Sequence, residues 1–180
     1  ASAGGQIIGN YNLTSDASLG PKEITGNLNM TTNNKILTVT GTIYVRGNID
    51  VSNGAAMRCA VSYGSYSCLI IADGWIHLSN NGVFSGSGSS GSYIMLLTTA
   101  SGGGHHGSSI DLHNNAAGAI FYAQNGTAWL HNRVEVQELI GYGVHLENNA
   151  EVTYDSGLAN VNYLSGPSGG ITIDSWKEIP

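Results

Sequence analysis

Four segments of the chain repeat one phrase: WIHLSNNG from Trp75, SIDLHNNA from Ser109, TAWLHNRV from Thr127 and GVHLENNA from Gly143. Aligned on Asn80, Asn114, Asn132 and Asn148, they stand 34, 18 and 16 residues apart. A weaker copy, SYIMLLTT from Ser92, puts Thr98 at the Asn position and divides the long step into 18 and 16. The expected unit is a coil of about 16–18 residues, seen five times. A strand and turn repeating at so short a period cannot bury its own apolar face and does so only by stacking on the next copy. The pattern predicts an all-β chain folded as a single-stranded parallel β-helix, a β-solenoid.

Side chains alternate between the two faces of a strand, so each alignment column has a direction. Leu78, Leu96, Leu112, Leu130 and Leu146 form one apolar column, and Ile76, Ile94, Ile110, Ala128 and Val144 another. Both are expected to point inward as a core ladder. The columns between them, His77, Met95, Asp111, Trp129 and His145, then Ser79, Leu97, His113, His131 and Glu147, are mostly polar and are expected to point outward. Asn suits the corner after these strands because it tolerates the left-handed backbone and its amide can bond to the Asn of the next coil. A second period, in LTVTGTIYVRGNIDVSN, places Leu37/Val39, Ile43/Val45 and Ile49/Val51 six residues apart with Gly41 and Gly47 between them. Three such faces make a coil of triangular cross-section, and the strong preference of parallel crossovers favours a right-handed one.

Only 10% of the residues are charged, with a net charge of −6 and six Lys and Arg in all. That is well below ordinary globular usage, and it excludes the clustered cations that a nucleic-acid or polybasic membrane contact needs. No apolar run is long enough to span a membrane. No charged-plus-apolar signal segment opens the sequence, which reads as a processed or trimmed form. Cys59 and Cys68 are the only cysteines and flank AVSYGSYS. They are expected to form a disulfide that staples a protruding loop over residues 55–67, as suits a secreted or cell-surface protein. Residues 1–23 are expected to be an amino-terminal arm or cap, residues 24–165 the solenoid with a Gly/His loop at 100–108, and residues 166–180 a capping or subunit-pairing strand.

The stretch AGAIFYAQNGTAWLHNRVEVQELIGYGVHLENNAEVTYDSGL resembles β-solenoid domains of bacterial pilus-assembly proteins of the type IV pilin-like, minor-pilin or tip-associated kind. The matching residues are Gly118, Ile120, Tyr122, Ala123, Asn125, Gly126, Thr127, Leu130, Asn132 and Val134, followed by Gly141, Leu146, Asn148, Ala150, Val152, Tyr154 and Asp155. The closing IDSWKEI is similar to that family's terminal Ser-Trp strand. The resemblance is loose over residues 24–180 and better over 117–180, and these motifs belong to turns and core. It implies a non-enzymatic extracellular structural protein, a subunit or tip domain of a pilus or surface filament that self-assembles through its ends or meets other pilus proteins. The hydrophobic amino-terminal helix of pilin-like proteins is not present in this sequence.

Three other readings compete with this one. No cofactor is expected, but His113, His131 and Glu147 in one outward column are the candidate ligands for a zinc or copper ion, set against the poor convergence of a straight ladder. His105 and His106 offer a second imidazole pair in a Gly-rich loop. Tyr63, Tyr66, Trp75, Trp129 and Trp176 are candidate surface contacts, for a surface glycan if the domain is a carbohydrate-binding or adhesin module, or for a neighbouring subunit. A polysaccharide lyase or hydrolase needs paired carboxylates at fixed separation; Asp111 and Glu147 lie in different columns, so no catalytic residue is assigned.

Overall fold

A computed structural model describes residues 4–118, 120–154, 158 and 161–163. Among them the chain winds through seven coils. The first holds β1 (Gln6–Ile7), β2 (Tyr11–Asn12) and β3 (Ala17–Leu19), and the second β4 (Lys22–Ile24), β5 (Leu28–Met30) and β6 (Ile36–Val39). The third holds β7 (Ile43–Val45), β8 (Ile49–Val51) and β9 (Ala56–Cys59), and the fourth β10 (Cys68–Ala72), β11 (Ile76–Leu78) and β12 (Val83–Ser85). The fifth has β13 (Ile94–Thr98) and β14 (Ile110–His113). In the sixth, β15 (Ile120–His131) runs through a corner before β16 (Glu135–Val136), and in the seventh β17 (Glu138–Glu147) does the same before β18 (Glu151–Val152).

Every pairing is parallel, and the pairings define three faces. Face one stacks β1, β4, β7, β10, β13 and the first halves of β15 and β17. Face two stacks β2, β5, β8, β11, β14 and the second halves of β15 and β17. Face three stacks β3, β6, β9 and β12, continues through single bridges at Ala117, and ends with β16 and β18. A register shift between Ala123 and Thr127 bends β15 and β17 around the corner, joining faces one and two into a sheet of 12 strands. The architecture is the parallel β-helix expected from the repeat, and β6, β7 and β8 are the three successive faces that the six-residue period foreshadows.

The inward ladders form one continuous core. Ile76, Leu78, Ile94, Leu96, Ile110, Leu112, Ala128 and Leu130 are all 0% exposed, and complete burial of such a Leu or Ile side chain contributes about 1.5–3 kcal/mol. Val144 and Leu146 continue the ladder into β17 but are 46% and 47% exposed, because no described strand pairs with the far side of β17.

Side-chain chemistry holds the corners. Between faces two and three the backbone turns at Asn34, Asn53, Asn80, Asn114, Asn132 and Asn148, all with φ between 50 and 62°. Amide groups then run up the stack: Asn114 Nδ2 donates to Asn80 Oδ1, Asn132 Nδ2 to Asn114 Oδ1, and Asn148 Nδ2 to Asn132 Oδ1, at 3.1, 3.1 and 3.2 Å. Between faces one and two, the Oδ1 atoms of Asn10, Asn27 and Asn48 accept from the backbone N–H of Asn27, Asn48 and Trp75. The glycine before each of these donors, Gly26, Gly47 and Gly74, is forced by close approach. A Cβ on Gly74 would lie 2.1 Å from Asn48 Oδ1 and 2.7 Å from the Gly47 backbone.

The described residues differ from the sequence reading at several places. The weak copy at Ser92 belongs to face one, where Ile94 and Leu96 pair with Cys68 and Ile70, so Thr98 is no rung of the Asn ladder. An apolar alternation reads alike on any inward strand, and only the absent Asn marked the difference. The 34-residue step from Asn80 to Asn114 is therefore one coil. Coil steps of 16, 17 and 18 residues occur at Asn148, Asn29 and Asn132, whereas those at Asn48 and Trp75 are 21 and 27. Within the expected arm or cap over residues 1–23, β1, β2 and β3 already form the first coil, with Gln6 opposite Glu23 and Ala17 opposite Leu37. Cys59 and Cys68 are bonded, but Ala56–Cys59 is strand β9, so the bond clips the corner between β9 and β10 and both cysteines are 1% exposed. The strand expected at 166–180 lies outside the described residues.

Candidate functional site

The outward side of face two is where chemistry-bearing side chains collect. Strand register sets His77 beside Asp50 and Asp111, and continues the column through Trp129 and His145. The next column outward sets His113 beside His131 and His131 beside Glu147. Stacked coils are about 4.8 Å apart, so a side chain reaches both its own column and the diagonal position in the next.

A loop inserted between β13 and β14 covers these columns. Its tight turn is closed by Gly107 N–H donating to Gly104 O at 3.1 Å and by Ser108 Oγ donating to His105 O at 2.7 Å, with His106 left-handed at φ 55°. Gly104 comes close enough that a Cβ there would touch Trp75 at 3.4 Å. This seats His105 flat on His77, with centroids 5.2 Å apart and planes 1° from parallel, and His106 on Trp129 at 4.5 Å. His113 stacks on His131 at 5.0 Å and Trp129 on His145 at 5.1 Å. All six histidines of the sequence thus share one patch of one face.

At its centre lies Asp111, only 2% exposed. His131 Nε2 donates to Asp111 Oδ1 at 3.1 Å, and His77 Nε2 stands 3.9 Å from Oδ2. Oδ2 itself has no hydrogen-bond partner. His77 Nδ1 donates to Asp50 Oδ1 at 3.0 Å, a bond that in the neutral ring selects the Nδ1–H tautomer, with the lone pair on Nε2. That lone pair accepts from His113 Nε2–H at 2.8 Å. Burial pushes the His113 imidazole below its ordinary value; the Asp111 carboxylate opposes this shift, and His77 and His131 add to it. The ligand atoms of His77, Asp111 and His113 all lie within 4.8 Å of one another, the one such three-residue group among the described residues.

The residues singled out from sequence are distributed differently from their alignment. His113 and His131 are stacked neighbours and the register sets Glu147 beside His131, but Glu147 is exposed and belongs to no three-residue ligand group among the described residues. The set that converges is diagonal across two columns, because side chains two residues apart on a strand share a face and meet the next coil's neighbours. Column-by-column reading hides such a set; the signal available was that His77, Asp111 and His113 sit on adjacent coils. Tyr63 is 6% exposed and offers no surface contact, whereas Tyr66 is 46% exposed. Trp75 lies against the Gly/His loop and Trp129 is held between His106 and His145, so both indole faces are occupied at least in part. Trp176 is outside the described residues.

No family model matches the chain, and no curated protein or solved structure was found to be similar to it.

Proposed function

We propose that the chain is a non-catalytic structural element of a bacterial surface filament, a β-solenoid subunit or tip domain of a pilus that works outside the cell. The observation that carries this reading is how the stack ends among the described residues. Among the described residues, β1 has no partner on one side and β17 none on the other, and the inward Val144 and Leu146 at that end remain nearly half exposed. Open parallel edges with an apolar floor are templates for another copy of the same coil. The buried disulfide fits an oxidising compartment, and no helix among the described residues is long and apolar enough to cross a membrane.

The glycan-binding alternative draws less from the geometry. Sugar stacking needs free aromatic faces, and Trp129 is sandwiched while Tyr63 is buried.

Electron microscopy and sedimentation of the purified chain test the proposal. Filaments or concentration-dependent oligomers, lost when Val144 and Leu146 are both replaced by Asp, are the expected result. A strictly monomeric profile at high concentration overturns self-assembly.

A further inference from the structure

We propose that the outward side of face two binds a zinc-class transition-metal dication, with His77 Nε2, His113 Nε2 and Asp111 Oδ2 as its protein ligands. Three independent features of the site point the same way.

The first is the unpartnered carboxylate oxygen. Asp111 is 2% exposed and its Oδ2 accepts no hydrogen bond. The ion-pair partners of Asp111 among the described residues are the imidazoles of His77 and His131; no Lys or Arg is among them. A buried carboxylate oxygen without a donor is costly, and buried charges are ordinarily paired or bound to a metal. A dication at this point supplies the missing partner.

The second is the orientation of the rings. Metal-ligating histidines characteristically donate their other ring N–H to a carboxylate, which fixes the tautomer and aims the lone pair at the ion. His77 does this, with Nδ1 on Asp50 Oδ1 at 3.0 Å. Asp111 is oriented in turn, since His131 Nε2 holds its Oδ1 and leaves Oδ2 directed at His77. Asp50 and His131 are thus positioning residues, and neither is a ligand.

The third is the spacing. His77 Nε2 and His113 Nε2 are 2.8 Å apart, Oδ2 is 3.9 Å from His77 Nε2, and the three ligand atoms fall within 4.8 Å. Donors around a tetrahedral ion with metal–nitrogen bonds of about 2.0–2.1 Å are about 3.3 Å from one another. Ion binding replaces the hydrogen bond between the two Nε2 atoms and releases its proton, as ligation by neutral imidazole requires. Two imidazoles and one carboxylate suit zinc, copper, nickel or cobalt, and not calcium or magnesium, which take oxygen donors in larger number. His105 stacks on His77 from the loop above, and its ring centroid lies 6.4 Å from that of His113.

The test is equilibrium binding of Zn2+ to the full chain after chelator treatment, by calorimetry and by metal analysis after gel filtration. Co2+ serves as an optical probe of coordination. One ion per chain is expected. Affinity falls at least 100-fold in His77→Ala and in the near-isosteric Asp111→Asn, and at least tenfold in Asp50→Ala, where only the positioning carboxylate is lost. His145→Ala, on the far side of Trp129, binds as the parent does. Circular dichroism and melting of each metal-free variant separate loss of the site from loss of the fold, and His113→Gln provides a second ligand deletion should Asp111→Asn not fold. Absence of stoichiometric zinc in the parent chain overturns the proposal. So does binding that survives His77→Ala and His113→Gln, or that is abolished by His105→Ala with His106→Ala alone, which would assign the ion to the loop.

Discussion

His77 and His113 face each other through their Nε2 atoms at 2.8 Å, one coil apart and in neighbouring columns of the same sheet face. The contact exists because two strand registers and one diagonal offset coincide, and it ties β11 to β14 on the outside of the stack while Ile76, Leu78, Ile110 and Leu112 tie them on the inside.

Asp50 sets which nitrogen of His77 carries the proton. In metal-free protein, Asp50→Ala is expected to convert a single Nδ1–H tautomer of His77 into a mixture, visible in long-range nitrogen–proton NMR spectra. Loss of this charge-assisted bond is expected to cost about 1 kcal/mol in urea unfolding. An unchanged tautomer would show that His113, and not Asp50, fixes the ring.

Asn114 both accepts from and donates to its ladder neighbours and holds φ 57°. Asn114→Ala removes two side-chain hydrogen bonds and puts a residue that disfavours the left-handed region there, for an expected loss of about 2–3 kcal/mol. Asn114→Gly keeps the conformation available and is expected to lose about half as much. Chemical denaturation of both variants separates the backbone contribution from the ladder.

Gly74→Ala drives a methyl group to 2.1 Å from Asn48 Oδ1 and against the Gly47 backbone. The coil cannot part without breaking the Trp75 N–H bond to Asn48. An expected destabilisation of about 2–3 kcal/mol, read from the urea midpoint, would be larger than that of Gly107→Ala, where a Cβ meets nothing and the change costs only the strain of φ 75°.

The disulfide closes a short corner, with a sequence separation of 9. Chain entropy assigns such a loop about 2.5–3 kcal/mol. Replacing both cysteines by Ala is expected to lower stability by that amount without altering the far-ultraviolet spectrum, and added reductant should then leave the variant's midpoint unmoved.

The Arg46 guanidinium holds Glu23 below the ordinary glutamate value of 4.5. With the folded value depressed, the pair's contribution is present above the unfolded value and disappears as pH falls through the folded one. The melting temperatures of the parent and Glu23→Gln are therefore expected to differ most near neutrality and to converge on acidification below pH 4.5. Because Arg46 is largely exposed, the difference is small and shrinks further with salt.

The inward ladders and the Asn corners could be read from sequence because each position obeys a local rule: alternation for the strand, and a left-handed backbone for the corner. Leu112 and Asn114 declare themselves in that way. The copy at Ser92 reads as a coil of its own because Ile94 and Leu96 satisfy the same alternation on face one that Ile110 and Leu112 satisfy on face two, and the distinction lies in which strand each meets across the stack. The imidazole patch was only half visible for the same reason. His113 and His131 share a column and can be paired by eye, whereas His77 reaches His113 on the diagonal, and His105 arrives from a loop whose fold depends on the strands beneath it.

The corner ladder takes a step of 34 residues between Asn80 and Asn114 as readily as the step of 16 between Asn132 and Asn148. Length added between two corners leaves every rung at its height. Such a frame tolerates insertions of very different size at residues 86–93 and 99–109 without re-indexing the coils above them. A foreign peptide grafted there would be presented at a defined level along the rod, and the stack would serve as a ruler whose graduations do not depend on what is hung from them.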